Sequence, residues 1–268
     1  MTLHFVTASR LPAELFWSTS LLGQSLAQSP AESYRLSAHL DNTGPRLRGL
    51  PEVYNRAISR ADPDDVLVFV HDDVQLHTPV PLLEMQLQAA LRTAEVIGTA
   101  GASGRAAHEK LPLSWALDFD DRLQCRGWRS GPAYAGVRLS GCVSHSGAAA
   151  RDNPAIYGSA PRHCDLLDGL LLAVTARSLW EKGVQFDPRF HFHFYDLDFC
   201  MAASSARLRL STWPLHVTHG SGGAFGLPEW KRSAELYRDK WQLPSEPASS
   251  SPPRWRLPDP PLSEPAPL

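Results

Sequence analysis

Apolar positions in the first hundred residues follow two periods in turn. Residues 12–28, PAELFWSTSLLGQSLAQ, carry apolar side chains at 15, 16, 21, 22 and 26, the spacing of a helix. Residues 50–61, LPEVYNRAISRA, place Val53, Ala57 and Ile58 on one helical stripe, and PLLEMQLQAALRTA (81–94) predicts another helix. Between these lie strand-like runs. LHFVTASR (3–10) starts as a short strand and runs into a polar turn. YRLSAHLDN (34–42) alternates and ends on Asp41 and Asn42, and VIGTAGAS (96–103) reads as one buried strand. DVLVFV (65–70) is apolar at nearly every position, as expected of a strand covered on both faces. Alternating strands and helices predict an open, mostly parallel sheet with helices on both faces. Such sheets bind ligands beyond the carboxyl ends of their strands, where Ser9, Asp41, Asn42 and His71-Asp72-Asp73 all fall.

The pattern loosens over residues 104–164, which are rich in Gly, Ser, Arg and aromatics and include Trp115, Trp128 and Tyr134. This stretch reads as a loop-rich insertion with a few short strands, such as YAGVRLSG (134–141). Order returns at DLLDGLLLAVTARSLWEKG (165–183). It continues through a helical segment within 186–206, a strand LRLSTWPLHVTH (208–219), a Gly-rich turn (220–226) and a last helix PEWKRSAELYRDKW (228–241). From residue 244 the chain is Pro/Ser-rich, the composition of a disordered or polyproline-like tail.

Composition narrows the function classes. A chain of 268 residues with 43% hydrophobic content can bury a full core, as one large α/β domain or two small ones. A net charge of -2 and a pI near 6.6 give no strongly basic face, so nucleic acid is not the expected partner. No basic-then-apolar leader opens the sequence and no apolar run approaches the ~20 residues of a membrane helix. The four cysteines, Cys125, Cys142, Cys164 and Cys200, form no C-x-x-C pair and read as reduced thiols in a cytoplasmic protein.

The candidate chemistry lies at the ends of elements. A carboxylate just past a strand is rigidly held yet faces solvent, which suits a hard divalent cation such as Mg²⁺ or Mn²⁺. His71-Asp72-Asp73 stands in that position, and equally fits a solvated turn whose Asp caps the helix near 81. Asp196 and Asp198, in FYDLDFC, open a helical segment; they fit capping by the helix dipole or a general base. His191 and His193 form an H-x-H pair, but Asp196 falls at the wrong spacing for the H-x-H-x-D-H zinc pattern. His219 ends a strand before GSGG, where it suits a metal or phosphate contact, or a structural role. GSGG lacks the lysine and spacing of a phosphate-binding P-loop, and no G-x-S-x-G elbow appears.

Taken in order, DN, GLPEVYNRAI, LVFVHDDV, DLLDGLLLAV, FDPRFHFHFYDLDFCMAA, VTHGSGG and YRDKW resemble the family-2-like glycosyltransferases with the A-type nucleotide-sugar (GT-A) fold. The resemblance covers most of residues 3–241, and 64–77 and 165–222 carry its specificity. It implies a Rossmann-like, mostly parallel sheet flanked by helices, with the loop-rich insertion on the acceptor side. The domain would span 1–243, with a nucleotide-binding half (1–103) and an acceptor-binding half (104–243), followed by the tail 244–268. HDD stands where the family has D-x-D, so Asp73 becomes a metal and diphosphate contact, with Asp72 near the donor sugar or ribose. YDLD stands at the family's Glu-Asp motif, which makes Asp196 the base of an inverting transfer, with Asp198 as a second acid. His219 aligns with a late metal ligand. Thr7, Ser9, Arg10, Asp41 and Asn55 would line the donor pocket, and Asp168, Gly169 and Tyr195 would face the acceptor. Trp115 and Trp128 are expected to stack on acceptor sugar rings. His71 and Tyr195 depart from the family pattern, replacing an Asp and a Glu.

The implied activity is metal-assisted sugar transfer from a UDP-, GDP- or dTDP-sugar to a carbohydrate or glycosylated acceptor, with Mn²⁺ or Mg²⁺ as cofactor. The two departures keep open a catalytically degenerate, nucleotide-sugar-binding scaffold. A nucleotidyltransferase is the third reading, against which TASRLPAEL supplies one Arg and no glycine after the first strand.

Overall fold

The computed structural model describes residues 2–146, 154–221 and 225–241. The predicted disordered tail, and Gly222 and Gly223 of the Gly-rich turn, lie outside those residues. The architecture is mixed α/β, with seven α-helices among the described residues. A seven-stranded sheet runs in the spatial order Arg162–Cys164, Leu210–Thr212, Val96–Gly98, Leu171–Thr175, Val66–Val70, Leu3–Ala8, Tyr34–His39. Val66–Val70 is wholly buried, as its unbroken apolar run requires. No helix among the described residues is long and apolar enough to cross a membrane.

The mostly parallel sheet of the sequence reading is corrected here: the sheet is mixed. Leu3–Ala8 pairs in parallel with Tyr34–His39 and with Val66–Val70, and Leu210–Thr212 with Val96–Gly98. Leu171–Thr175 then inserts antiparallel between Val66–Val70 and Val96–Gly98, and Arg162–Cys164 is antiparallel at the edge. A strand buried on both faces is apolar whichever way it runs, so its composition carries no direction.

Two segments read as single strands each divide between sheets. VIGTAGAS breaks at Thr99: Val96–Gly98 stays in the large sheet, while Ala100–Ser103 pairs with Leu166–Leu167 and Arg138–His145 in a second sheet. Gly101 permits the crossing, because a Cβ there would strike the carbonyl oxygen of Leu166. LRLSTWPLHVTH breaks around Pro214 into Leu210–Thr212 and Val217–His219, and the second piece joins that same second sheet beside Val74–Leu76. The long helix expected over 12–28 is also two helices, Ala13–Thr19 and Leu21–Leu26. Ser20 between them is extended; its Oγ donates to the Phe16 carbonyl at 2.8 Å and accepts from the Gly23 N–H at 2.8 Å.

An aromatic layer underlies the carboxyl ends of the strands. Tyr54, from the helix Leu50–Ile58, lies 4.8 Å from Phe69, 5.1 Å from Phe186 and 5.8 Å from Tyr195, centroid to centroid. The last helix, Pro228–Trp241, is fastened by charge. Lys240 Nζ donates to Asp187 Oδ2 at 2.8 Å and Asp198 Oδ2 at 2.9 Å, and Trp241 Nε1 donates to Asp198 Oδ1 at 2.7 Å. Removing one member of a buried charge network strands the others without compensation. Lys240→Met is therefore expected to cost about 3–5 kcal/mol of stability, read as a lowered denaturant midpoint; an unchanged midpoint would show that the network contributes nothing net.

Candidate functional site

The second sheet begins where the first strand of chemistry ends. After Val66–Val70 the chain turns through His71-Asp72-Asp73 and enters Val74–Leu76, with the His71 N–H bonded to the Leu170 carbonyl at 3.1 Å. Val74–Leu76 pairs antiparallel with Val217–His219, and the register sets His219 opposite Val74. The Gly220 N–H closes this corner on the Asp73 carbonyl at 2.8 Å. One donor atom each of His71, Asp73 and His219 consequently lies within 4.8 Å of the others. Asp73 Oδ1 is 3.4 Å from His219 Nε2 and 4.0 Å from His71 Nδ1. Burial would raise the Asp73 carboxyl, but the hydrogen bond and charge of His219, with His71 behind, hold it down at about 2. Burial lowers His71, whereas the Asp73 hydrogen bond lifts His219 above its ordinary value despite burial. The sequence reading took Asp73 and His219 as ligands and His71 as a departure; the structure brings the three together. Two imidazole nitrogens and a carboxylate oxygen fit a divalent transition metal such as Mn²⁺ better than Mg²⁺, which prefers oxygen.

Asp72 serves a different neighbour. Its carboxylate accepts from Ser9 Oγ at the end of the first strand, and burial raises its pKa despite that bond.

The opposing acid comes from the helix Tyr195–Ser205. Phe194, just before it, is left-handed at φ 65°, a strained conformation for a residue with a side chain, and it turns the helix start into the site. Gly169 makes room: a Cβ there would collide with the Tyr195 hydroxyl and Asp196. Asp196 Oδ2 accepts from the Gly169 N–H at 3.1 Å. Burial, reinforced by the charge of Asp168, pushes its carboxyl up to about 7. Asp168 accepts from the Leu170 N–H and from Trp115 Nε1, both at 2.9 Å. Tyr195 lies buried under the site, its hydroxyl 2.9 Å from the Gly169 carbonyl and 2.7 Å from His71 Nε2.

A cavity of about 630 Å³ joins these two ends, with Asp72, Asp73, His219, Asp168, Gly169 and Asp196 on its surface. Tyr195, Trp115 and Trp128 line it as well. The insertion forms the aromatic wall, where Tyr157 lies 4.8 Å from Trp115 and 6.0 Å from Trp128 between ring centroids. Trp128 is exposed and Trp115 buried, so the two offer unequal area to the cavity. Sequence reasoning missed Tyr157, and also His145 and Ser221. The ring of His145 sits 6.0 Å from that of His219, and Ser221 Oγ is 3.2 Å from His219 Nε2. A polar residue closing a strand was the available signal for His145, at the end of Arg138–His145.

His71 and His193 also lie on that surface, and the other predicted residues lie outside it. Thr7 is buried within its strand, and Ser9 reaches the site only through Asp72. Arg10 lines a separate groove of about 550 Å³ with Arg189, Phe192 and His193. Asp41 occupies a left-handed turn near Thr43 and Arg46. Asn55 spends its amide on the backbone of Phe186, at 2.7 Å and 3.0 Å. Asp198 is consumed by Lys240 and Trp241. His191 and His193 lie in an irregular loop rather than on a strand.

No model of a known protein family matches this chain, and no curated protein matches it. Among solved structures, A197 from STIV matches with a TM-score of 0.43 and 9% identity over 83% of this chain and 87% of its own. S. aureus TarS 1–349 in complex with UDP matches with a TM-score of 0.45 and 12% identity over 83% of this chain. HddC from Yersinia pseudotuberculosis gives a TM-score of 0.34 and 9% identity over 88% of this chain and 79% of its own. This chain spans 61% of TarS 1–349 and 37% of the longer TarS chain.

Because the Asp168 charge contributes to the high pKa of Asp196, Asp168→Asn should lower that pKa from about 7. Carboxyl carbon NMR titration reads the shift directly; no downward movement would assign the whole effect to burial.

Proposed function

We propose that this chain is a glycosyltransferase that moves a sugar from a nucleoside-diphosphate donor to a hydroxyl of a carbohydrate-containing acceptor. The observation that carries the reading is the pairing, across one cavity, of the His71–Asp73–His219 cluster with Asp196, whose carboxyl is poised at about 7. Departure of a diphosphate and deprotonation of an alcohol need those two ends. The quoted motifs, HDD and YDLD above all, resemble a family that performs this reaction.

His71, Asp73 and His219 would hold a divalent cation, and their two imidazole nitrogens suit a transition metal better than Mg²⁺. Such a cation supplies positive charge to the leaving diphosphate. Asp72, steadied by Ser9, meets the donor beside it. The aromatic wall of Trp115, Trp128 and Tyr157 receives the acceptor, whose rings it covers with apolar surface. Asp196 takes the proton of the acceptor hydroxyl as that oxygen bonds to the anomeric carbon. The bond from that carbon to the diphosphate breaks on the opposite face, so its configuration inverts. Only ionised Asp196 can accept the proton.

Three results are expected. In calorimetric titrations with UDP, GDP and dTDP, one nucleotide binds in the presence of Mn²⁺, and Asp73→Ala removes that binding; no binding of any of them would overturn the reading. Asp196→Asn keeps donor binding and lowers turnover about 10²–10⁴-fold; a wild type that binds donor but turns over no acceptor would make the chain a nucleotide-sugar-binding protein. Turnover rises with pH through about 7 and then levels, as Asp196 loses its proton; a profile flat through neutrality would remove Asp196 as base.

A further inference from the structure

The two positions at which the chain departs from the family pattern touch one another. Tyr195 Oη is 2.7 Å from His71 Nε2 and 2.9 Å from the carbonyl oxygen of Gly169. A carbonyl oxygen can only accept, so the single hydroxyl proton of Tyr195 points to Gly169. The hydroxyl oxygen is then an acceptor toward His71, and the proton between them belongs to the imidazole. A neutral imidazole carries one N–H, so with Nε2 protonated its Nδ1 bears a lone pair. Nδ1 is the nitrogen that lies 4.0 Å from Asp73 Oδ1.

Neither ring is free to turn away. The His71 ring stacks on Phe192 at 6.0 Å between centroids and 26° between planes. Tyr195 is wedged against Tyr54 at 5.8 Å and Phe186 at 6.0 Å, and its hydroxyl rests where a side chain at 169 would stand. An aspartate at 71 would need no such partner, because a carboxylate offers equivalent oxygens. A histidine offers two different nitrogens, and only one of them serves the cluster.

We propose that Tyr195 is a positioning residue: it holds His71 as the Nε2–H tautomer and so turns the Nδ1 lone pair toward Asp73 and His219. The part that concerns a cation rests on the proposed function; the tautomer does not. Partners that orient a metal-binding imidazole through its second nitrogen change metal affinity about 10–100-fold when removed.

The test has two arms. Long-range nitrogen–proton NMR of the metal-free protein, above the pH at which imidazoles are protonated, should show His71 with Nε2 protonated and Nδ1 bare. Tyr195→Phe keeps the packed ring and should lose that preference. In the second arm Mn²⁺ alone is titrated calorimetrically, and Tyr195→Phe should weaken it at least about tenfold. In the His71→Ala background the same substitution should change Mn²⁺ affinity by nothing further. A wild-type His71 protonated on Nδ1 overturns the proposal even if Tyr195→Phe fails to fold. Equal loss of Mn²⁺ affinity in both backgrounds overturns it too, since Tyr195 would then act without His71. A wild type that binds no Mn²⁺, yet shows a tautomer dependent on Tyr195, upholds the positioning and sinks the cation reading alone.

Discussion

The site depends on one pairing, the antiparallel contact of Val74–Leu76 with Val217–His219. These two short strands come from segments more than a hundred residues apart. Their register sets His219 beside Val74 and hence beside Asp73. Side chains alternate along a strand, so a slip of one residue would turn His219 to the other face and dissolve the cluster. The backbone bond from Gly220 to Asp73 closes the corner and resists that slip. The second sheet thus brings the late half of the chain onto the carboxyl end of the first strands.

Environment then divides the labour among acids that look alike in the sequence. Asp73 sits among imidazoles and is held ionised. Asp196 sits in a buried pocket beside another carboxylate, and it is pushed toward neutrality. Asp198, two residues on, points the opposite way from the same helix and anchors Lys240 and Trp241. Asp168 charges the pocket of Asp196 while it holds Trp115, so the aromatic wall and the buried acid share one support. Opposite environments for similar groups are the usual route by which one cavity gains both a fixed charge and a proton acceptor.

Part of the cavity lining was legible because it follows from local pattern. Apolar runs closed by polar residues placed Asp72, Asp73 and His219 at strand ends, and all three line the cavity. Residues assigned by position alone fared less evenly. Asn55 lies on a correctly predicted helix, but its amide caps backbone at Phe186. Arg10 follows the first strand yet faces a neighbouring groove. Tyr157 and Ser221 come from stretches with weak periodicity, where nothing local announces which side chain turns inward.

By itself the sequence determined the order of strands and helices, the buried strand Val66–Val70 and the polar residues that end these elements, because periodicity and apolar content are local properties. Only the tertiary structure decided the rest. Strand direction, the split of 96–103 and 208–219 between two sheets, and the contact of His71 with Tyr195 all depend on pairings across the chain. A buried strand has the same composition in either direction, and a carboxylate has the same letter whether its neighbour is a lysine, an imidazole or another acid. Those neighbours exist only once the chain has folded, and they set the charge each group carries.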